Sequence, residues 1–328
     1  MIKAFFGSKK WAWWAYGGGA FLLSLLYAQV YMSVRLNAWY GKFYNLLQKA
    51  NEHTLEEFYA GITEFMWIAV PWIILATITS YSTRLYSLRW RESITFNYIP
   101  RWRNVREEIE GASQRIQEDT YRFARIVESL GLQVARAIMT LVAFLPVLWT
   151  LSNGIDMPFL GKTQGSLVWV ALVVSIGGTA VSWFVGIKLP GLEYNNQKVE
   201  AAFRKELVLG EDDKINHASP AILAEMFTGI KFNYHRLFLH YGYFDLWLNL
   251  YNQFLTIVPY LIAGPALFSG AIMLGTLVQI SNAFDKVQNS FSLFMDNWTT
   301  ITELRSIKKR LKEFETNLDK HQLPREGK

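Results

Sequence analysis

Residues 163–187 read TQGSLVWVALVVSIGGTAVSWFVGI and contain no Asp, Glu, Lys or Arg. A helix needs about 20 predominantly apolar residues to cross the hydrocarbon core of a bilayer, and this run is long enough. Three more charge-free runs cover residues 11–34, 65–83 and 137–155. Together these runs predict an all-α integral membrane protein that crosses the bilayer several times.

A fifth charge-free run, residues 246–284, is too long for one span. Gly264-Pro265 and Ser269-Gly270 interrupt it near the middle, which favours a hairpin of two spans. The sequence therefore predicts six transmembrane helices, over about residues 11–35, 62–84, 130–152, 164–188, 246–268 and 271–299.

The composition fits a bilayer. Hydrophobic residues make up 51% of the chain, and the thirteen tryptophans suit the membrane interfaces. The first apolar run is longer than the ~7–15 residues of a signal-peptide core, so we expect a retained span. Cysteine is absent, which excludes disulfides and Cys-ligated metal sites.

The placement of Lys and Arg predicts the orientation. Of these 33 residues, 27 fall on one side of the predicted spans, four on the other, and Arg136 and Lys286 within spans. Because positive residues stay on the cytoplasmic side, we expect both termini in the cytoplasm. The net charge of +6 then reflects topology, and no nucleic-acid partner is expected.

Two long cytoplasmic connections, residues 84–128 and 188–245, are predicted to be helical extensions of the spans. Segment 101–130 has a helical charge period interrupted only by Gly111, and a cytoplasmic tail follows over 303–328. This plan resembles the transmembrane domain of an ABC exporter. We expect one transporter domain over 1–328, without an ATPase domain.

Signals for an enzyme are missing. Residues 154–163, GIDMPFLGKT, contain Gly-Lys-Thr, but six residues separate the two glycines, whereas a phosphate-binding P-loop has four. The five histidines show no metal-ligand spacing. We therefore expect no catalytic residue, no metal and no cofactor.

Four stretches resemble one family, the SbmA/BacA peptide-uptake transporters of bacterial inner membranes: LNAWYGKFYNLLQ (36–48), EGASQRIQEDTYRFA (110–124), AIMTLVAFLPVLWTLS (137–152) and GIKLPGLEYNNQKVEAAFRKELVLGEDD (186–213). The resemblance covers nearly the whole chain. It implies a homodimer with an exporter-like fold that imports peptides and peptide-like antibiotics, driven by protons. Longer members carry an additional helix before the first span.

Proton coupling without ATP requires groups that titrate reversibly, and carboxylates do so when burial shifts their pKa. Glu193, Glu200 and Glu211 lie within about 20° of one another on a helix. Glu118 and Glu128 lie near the entry of the third span. By the resemblance, Glu118, Glu128, Glu200 and Glu211 match glutamates that line the family's cavity. The alternative is a solvated face with salt bridges to Arg122, Arg125 and Arg204. Gly210 is expected to break the helix before Glu211.

The sixth span carries polar residues at alternating spacings of three and four, which places them on one helix face. This polar stripe consists of Asn282, Asp285, Asn289, Ser292 and Asp296. A charged group inside a membrane usually faces the protein interior or water, so we expect the stripe to line the translocation cavity. A structural role, with Lys286 as an ion-pair partner, is the alternative.

Two other functions remain open at this point. The chain can be the membrane subunit of an ABC transporter that recruits a separate ATPase, with the cytoplasmic extensions as docking helices. It can also be a membrane protein without a transport function, which the polar stripe disfavours.

Overall fold

The computed structural model describes residues 1–105, 109, 111–153, 155 and 163–320. The described part contains no β-strand, which confirms the all-α prediction. The helices are α1 (Ile2–Phe6), α2 (Gly19–Gln48), α3 (Leu55–Arg103), α4 (Ala112–Gln114), α5 (Thr120–Leu151), α6 (Ser166–Gly186), α7 (Leu189–Asp212), α8 (Pro220–Phe268), α9 (Leu274–Asp296) and α10 (Trp298–Lys320). Most of the P-loop-like segment 154–163 lies outside the described residues.

Four helical stretches are long and apolar enough to cross a membrane: Trp13–Gln48, Leu55–Arg103, Ala112–Leu151 and Ser166–Asp212. The first stretch begins with a π-helical turn, Trp13–Gly18, and the third contains one, Arg115–Asp119. These stretches support a membrane protein. The six-span topology and its orientation stay predictions, because α8 and α9 fall outside this set.

The first long extension is two helices, not one. α3 runs without interruption through span two and its extension but ends at Arg103. Gly111, with φ of 68°, then precedes the next helix. The expectation of one helix through 101–130 is therefore wrong, because the chain turns and only glycine adopts such a positive φ at little cost.

The second extension corrects the expectation at Gly210. α7 continues through this residue to Asp212. Gly210 is buried, and a Cβ there would overlap the Cβ of Ala218. The glycine therefore serves the close approach of the following turn and does not end the helix.

The chain comprises two compact units, residues 1–172 with 259–328, and residues 173–258. In the first unit, α2, α3, α5 and α9 pack together, and α1 and α10 cover a core that includes Phe5, Tyr98 and Leu311. In the second unit, the Trp247 indole N–H donates to Ser182 Oγ at 2.7 Å. The single-domain prediction stays a prediction.

The start of α9 is held by the end of α2. Asn45 Oδ1 accepts from the Gly275 N–H at 2.8 Å, and Gln48 Oε1 accepts from the Leu274 N–H at 2.7 Å. These side chains satisfy donors that the first turn of a helix leaves unpaired. The two helices approach so closely that a Cβ at Gly275 would overlap the Gly41 carbonyl.

Candidate functional site

Glu128 is the most enclosed of the predicted coupling residues. Its side chain lies on α5 and is 7% exposed. The Thr83 hydroxyl of α3 lies beside the carboxylate, but Oε1 has no hydrogen-bond partner within the part of the chain that the structure describes. Burial of an ionised carboxylate without a full set of partners is costly. Sequence and structure thus place a chemically unusual carboxyl group at the predicted entry of span three.

Glu118 has the environment of an ordinary surface residue. Its Oε1 lies 2.8 Å from Arg122 Nη2, and both side chains are more than a third exposed. Arg122 Nη1 also donates to Glu303 at 3.1 Å. At this position the structure contains the salt bridge of the alternative interpretation.

The other three candidate glutamates lie on α7. Glu193 and Glu200 are half-buried, whereas Glu211 is exposed. Between the first two, Asn196 is 4% exposed and its Oδ1 lacks a partner among the described residues. The α7 helix therefore carries one buried polar group flanked by two carboxylates.

A groove of about 330 Å³ lies beside Glu200 in the second unit. Its remaining lining comes from α8 and combines apolar rings with two basic side chains: Phe227, Ile230, Lys231, Tyr234, His235 and Phe238. Lys231 Nζ lies 5.5 Å from the centre of the Phe227 ring. Such a surface offers both aromatic and charged contacts to a ligand.

The polar stripe lies on the uncovered face of α9. Asp285, Asn289 and Asp296 are exposed, and Asn282 and Ser292 are partly so. The opposite face is apolar, with Phe284 and Val287 buried in the first unit. In the described part of the chain, Asp285 and Asp296 form no ion pair. The role of the stripe as a cavity lining stays a prediction, and the side chain of Phe294 is outside the description.

Sequence reasoning gave no role to a polar network between α2, α3 and α5. The Arg136 guanidinium donates through Nη2 to Gln29 Oε1 at 2.9 Å, and the Gln29 amide donates to Thr79 Oγ1. Gln29 and Thr79 are buried, at 2% and 6% exposed. The charge of Arg136 within a predicted span was the available signal. Gln29 had none, because a single glutamine in a charge-free run does not indicate which residue it contacts.

Comparison with known proteins identifies the family. The model of the SbmA/BacA-like family matches residues 8–319, which confirms the resemblance inferred from the sequence.

Several relatives are named as ABC transporters. The inner membrane ABC transporter ATP-binding protein YddA of Escherichia coli is 27% identical over 89% of this chain and 55% of its own length. ABC transporter D family member 2 of Arabidopsis thaliana, a chloroplastic protein, is 26% identical over 92% of this chain and 42% of its own. The chain spans about half the length of the relatives it matches.

Proposed function

Because the chain belongs to the SbmA/BacA-like family, whose relatives include membrane transporters, we propose that it is a proton-coupled secondary transporter. Its cargo is peptides and peptide-like antibiotics, which it imports across the bacterial inner membrane. Both termini lie in the cytoplasm, and the chain works as a homodimer with alternating access. Membrane lipids are further partners, and no nucleic acid is involved.

The observation that carries this proposal is the Glu128 carboxyl group. It lies in a nearly closed site between α3 and α5, with one oxygen unpaired and no cation bound to it among the described residues. A proton carrier needs a group that is stable in both protonation states and changes between them when the site opens to water. Glu128 meets that requirement better than Glu118, whose ion pair with Arg122 favours the charged form.

The polar stripe supports the homodimer. Two carboxylates that face acyl chains would cost several kcal/mol each, on the order of 2–3 at the centre of a bilayer. A second copy that places its own stripe opposite would enclose a wet, mildly acidic space between the two. Cationic and polar peptides need such a path to cross.

Uptake of a labelled peptide by cells that produce the protein tests the proposal. A protonophore should abolish uptake while cellular ATP is kept constant. Uptake that continues after the gradient has collapsed would refute proton coupling.

A second function has support from the relatives. Several of them are named as ABC transporter ATP-binding proteins and are about twice as long as this chain. On this alternative, the chain is a membrane component that works with an ATPase. Depletion of ATP with the gradient maintained would then stop uptake, the opposite of the result expected for a secondary transporter.

A further inference from the structure

From its position in the third predicted span, we infer that Arg136 is the binding site for the C-terminal carboxylate of the peptide cargo. The inference rests on the proposed peptide import and adds a substrate class to it, namely peptides with a free carboxyl end. It starts from an arginine that is exposed as a residue on its helix, has a partly buried hydrogen bond to Gln29 and yet lies in the third predicted span, residues 130–152.

The Gln29 amide fixes how the guanidinium is held. Thr79 Oγ donates its proton to the Leu75 carbonyl at 2.7 Å, so its oxygen is left to accept. The NH2 group of Gln29 supplies that donor and also lies 3.5 Å from the Leu75 carbonyl. The Gln29 oxygen must therefore face Arg136, where it accepts from Nη2 at 2.9 Å.

In this arrangement one N–H edge of the guanidinium donates to Gln29, and the other N–H groups are left to bind a ligand. Arg136 forms no ion pair among the described residues, and Gln29 is a neutral partner. A cation inside a bilayer faces the protein interior or water and pairs with an acidic residue or with backbone carbonyls; among the described residues no carboxylate pairs with Arg136. The planar fork of arginine matches a carboxylate through two parallel hydrogen bonds.

The cargo supplies the missing anion. Every peptide with an unmodified end carries one carboxylate, whatever its side chains are. Binding of that group would hold the end of the cargo at a fixed depth in the span. Arg136 is two helical turns beyond Glu128 on α5, about 12 Å along the axis, so the two sites are separate.

The test compares one labelled proline-rich peptide in two forms, with a free C-terminal carboxylate and with a C-terminal amide. Uptake is measured in cells that produce the full chain. Wild type should take up the acid about tenfold faster than the amide, the size of a charge-assisted hydrogen-bond pair. Arg136→Gln should import both forms at the amide rate, and that retained amide uptake shows that the variant is folded.

Two further variants test whether the orientation and the shape of the guanidinium matter. Gln29→Leu removes the acceptor that orients the guanidinium and should reduce the preference for the acid. Arg136→Lys keeps the charge without the fork and should also reduce it. The matched control is Arg125→Gln on the same helix, which should keep the full preference because Arg125 is exposed and donates to Tyr121 Oη, at 3.2 Å, one turn away on α5.

Three results would overturn the inference. Wild type that imports acid and amide equally would leave peptide import standing but remove the carboxylate site. A preference that survives in Arg136→Gln would mean another residue reads the carboxylate. Loss of both forms by the same factor would make Arg136 a structural residue. Absence of any peptide uptake by wild type would instead refute the proposed function.

Discussion

Arg310 on α10 donates two hydrogen bonds to the Asp119 carboxylate, from Nε to Oδ2 at 3.0 Å and from Nη2 to Oδ1 at 2.7 Å. Asp119 is the last residue of the π-helical turn before α5. Arg115 adds a third at 2.8 Å. The Asp119 side chain is 2% exposed, so this cluster attaches α10 to the start of α5 through a buried carboxylate.

The contribution of this Arg310–Asp119 ion pair to stability should not change with pH in the physiological range. The hydrogen bond from Arg310 to Asp119 raises the pKa of Arg310 above its ordinary value. A raised pKa adds stability that is present in full below the unfolded-state pKa and lost only as the pH rises through the folded-state value. Arginine is effectively always protonated in proteins, and its pKa is raised further here, so between pH 7 and 9 the cation is constant.

Asp119→Asn should lower the free energy of unfolding by about 2–3 kcal/mol. This loss is somewhat smaller than the loss on breaking a fully buried ion pair, because Arg115 and Arg310 are partly exposed. Unfolding in detergent would measure this. The control is Asp319→Asn, since the Asp319 ion pair with Arg101 is exposed and should contribute less than about 1 kcal/mol. Equal losses in the two variants would show that burial of Asp119 has no special effect.

Glu128→Gln and Glu200→Gln should fold and yet slow gradient-driven uptake. Glutamine keeps hydrogen-bonding capacity but cannot titrate. Initial rates of peptide uptake at a fixed pH gradient provide the measurement, with Glu313→Gln as control because Glu313 is exposed on α10. If both variants transport at the wild-type rate, coupling lies elsewhere in the chain.

Single cysteines on α9 should reveal the cavity face, since the sequence has no natural cysteine. A water-soluble thiol reagent should label positions 282, 285, 289 and 292 and leave 284, 287, 291 and 294 unlabelled. Phe284 and Val287 are buried in the first unit. Equal labelling of the two sets, or none on the polar set in any transport state, would exclude the stripe as a cavity lining.

Gly275→Ala should destabilise the packing of α9 on α2. The added Cβ would overlap the Gly41 carbonyl, and overpacking of this kind costs about 1–3 kcal/mol. Gly131→Ala on α5 is a matched control, because apart from its own chain neighbours and helix backbone no atom lies within 4 Å of a Cβ built there. Since alanine is the better helix former, the control should unfold at an equal or higher temperature. A stable Gly275→Ala protein would mean that the helices can separate at little cost.

Hydropathy and helical periodicity were enough to predict the all-α fold and the long helices. The face of α9 was also available from spacing alone, because the polar and apolar sets recur with the helix period. The family followed from stretches such as residues 186–213. Each of these signals is local, so a single sequence contains it.

Features that depend on contacts between residues far apart in the sequence could not be predicted from the sequence. Gly210 appeared to be a helix breaker because its contact with Ala218 is made only after the chain turns. The salt bridge of Glu118 with Arg122 was foreseen, but the contribution of Glu303 from α10 was not. The Gln29–Arg136 pair joins residues 107 positions apart, and no periodicity encodes such a pair.

Transport by purified protein in proteoliposomes tests the central claim most directly. A pH gradient, acidic outside, is imposed on vesicles that contain no ATP, and the accumulation of a labelled peptide inside them is followed. One proton that crosses a gradient of one pH unit releases about 1.4 kcal/mol, which can be used to concentrate cargo. We predict accumulation that requires the gradient, stops with a protonophore and is reduced in Glu128→Gln. Vesicles that accumulate peptide equally with and without the gradient, or only when ATP and an ATPase partner are supplied, would contradict the account.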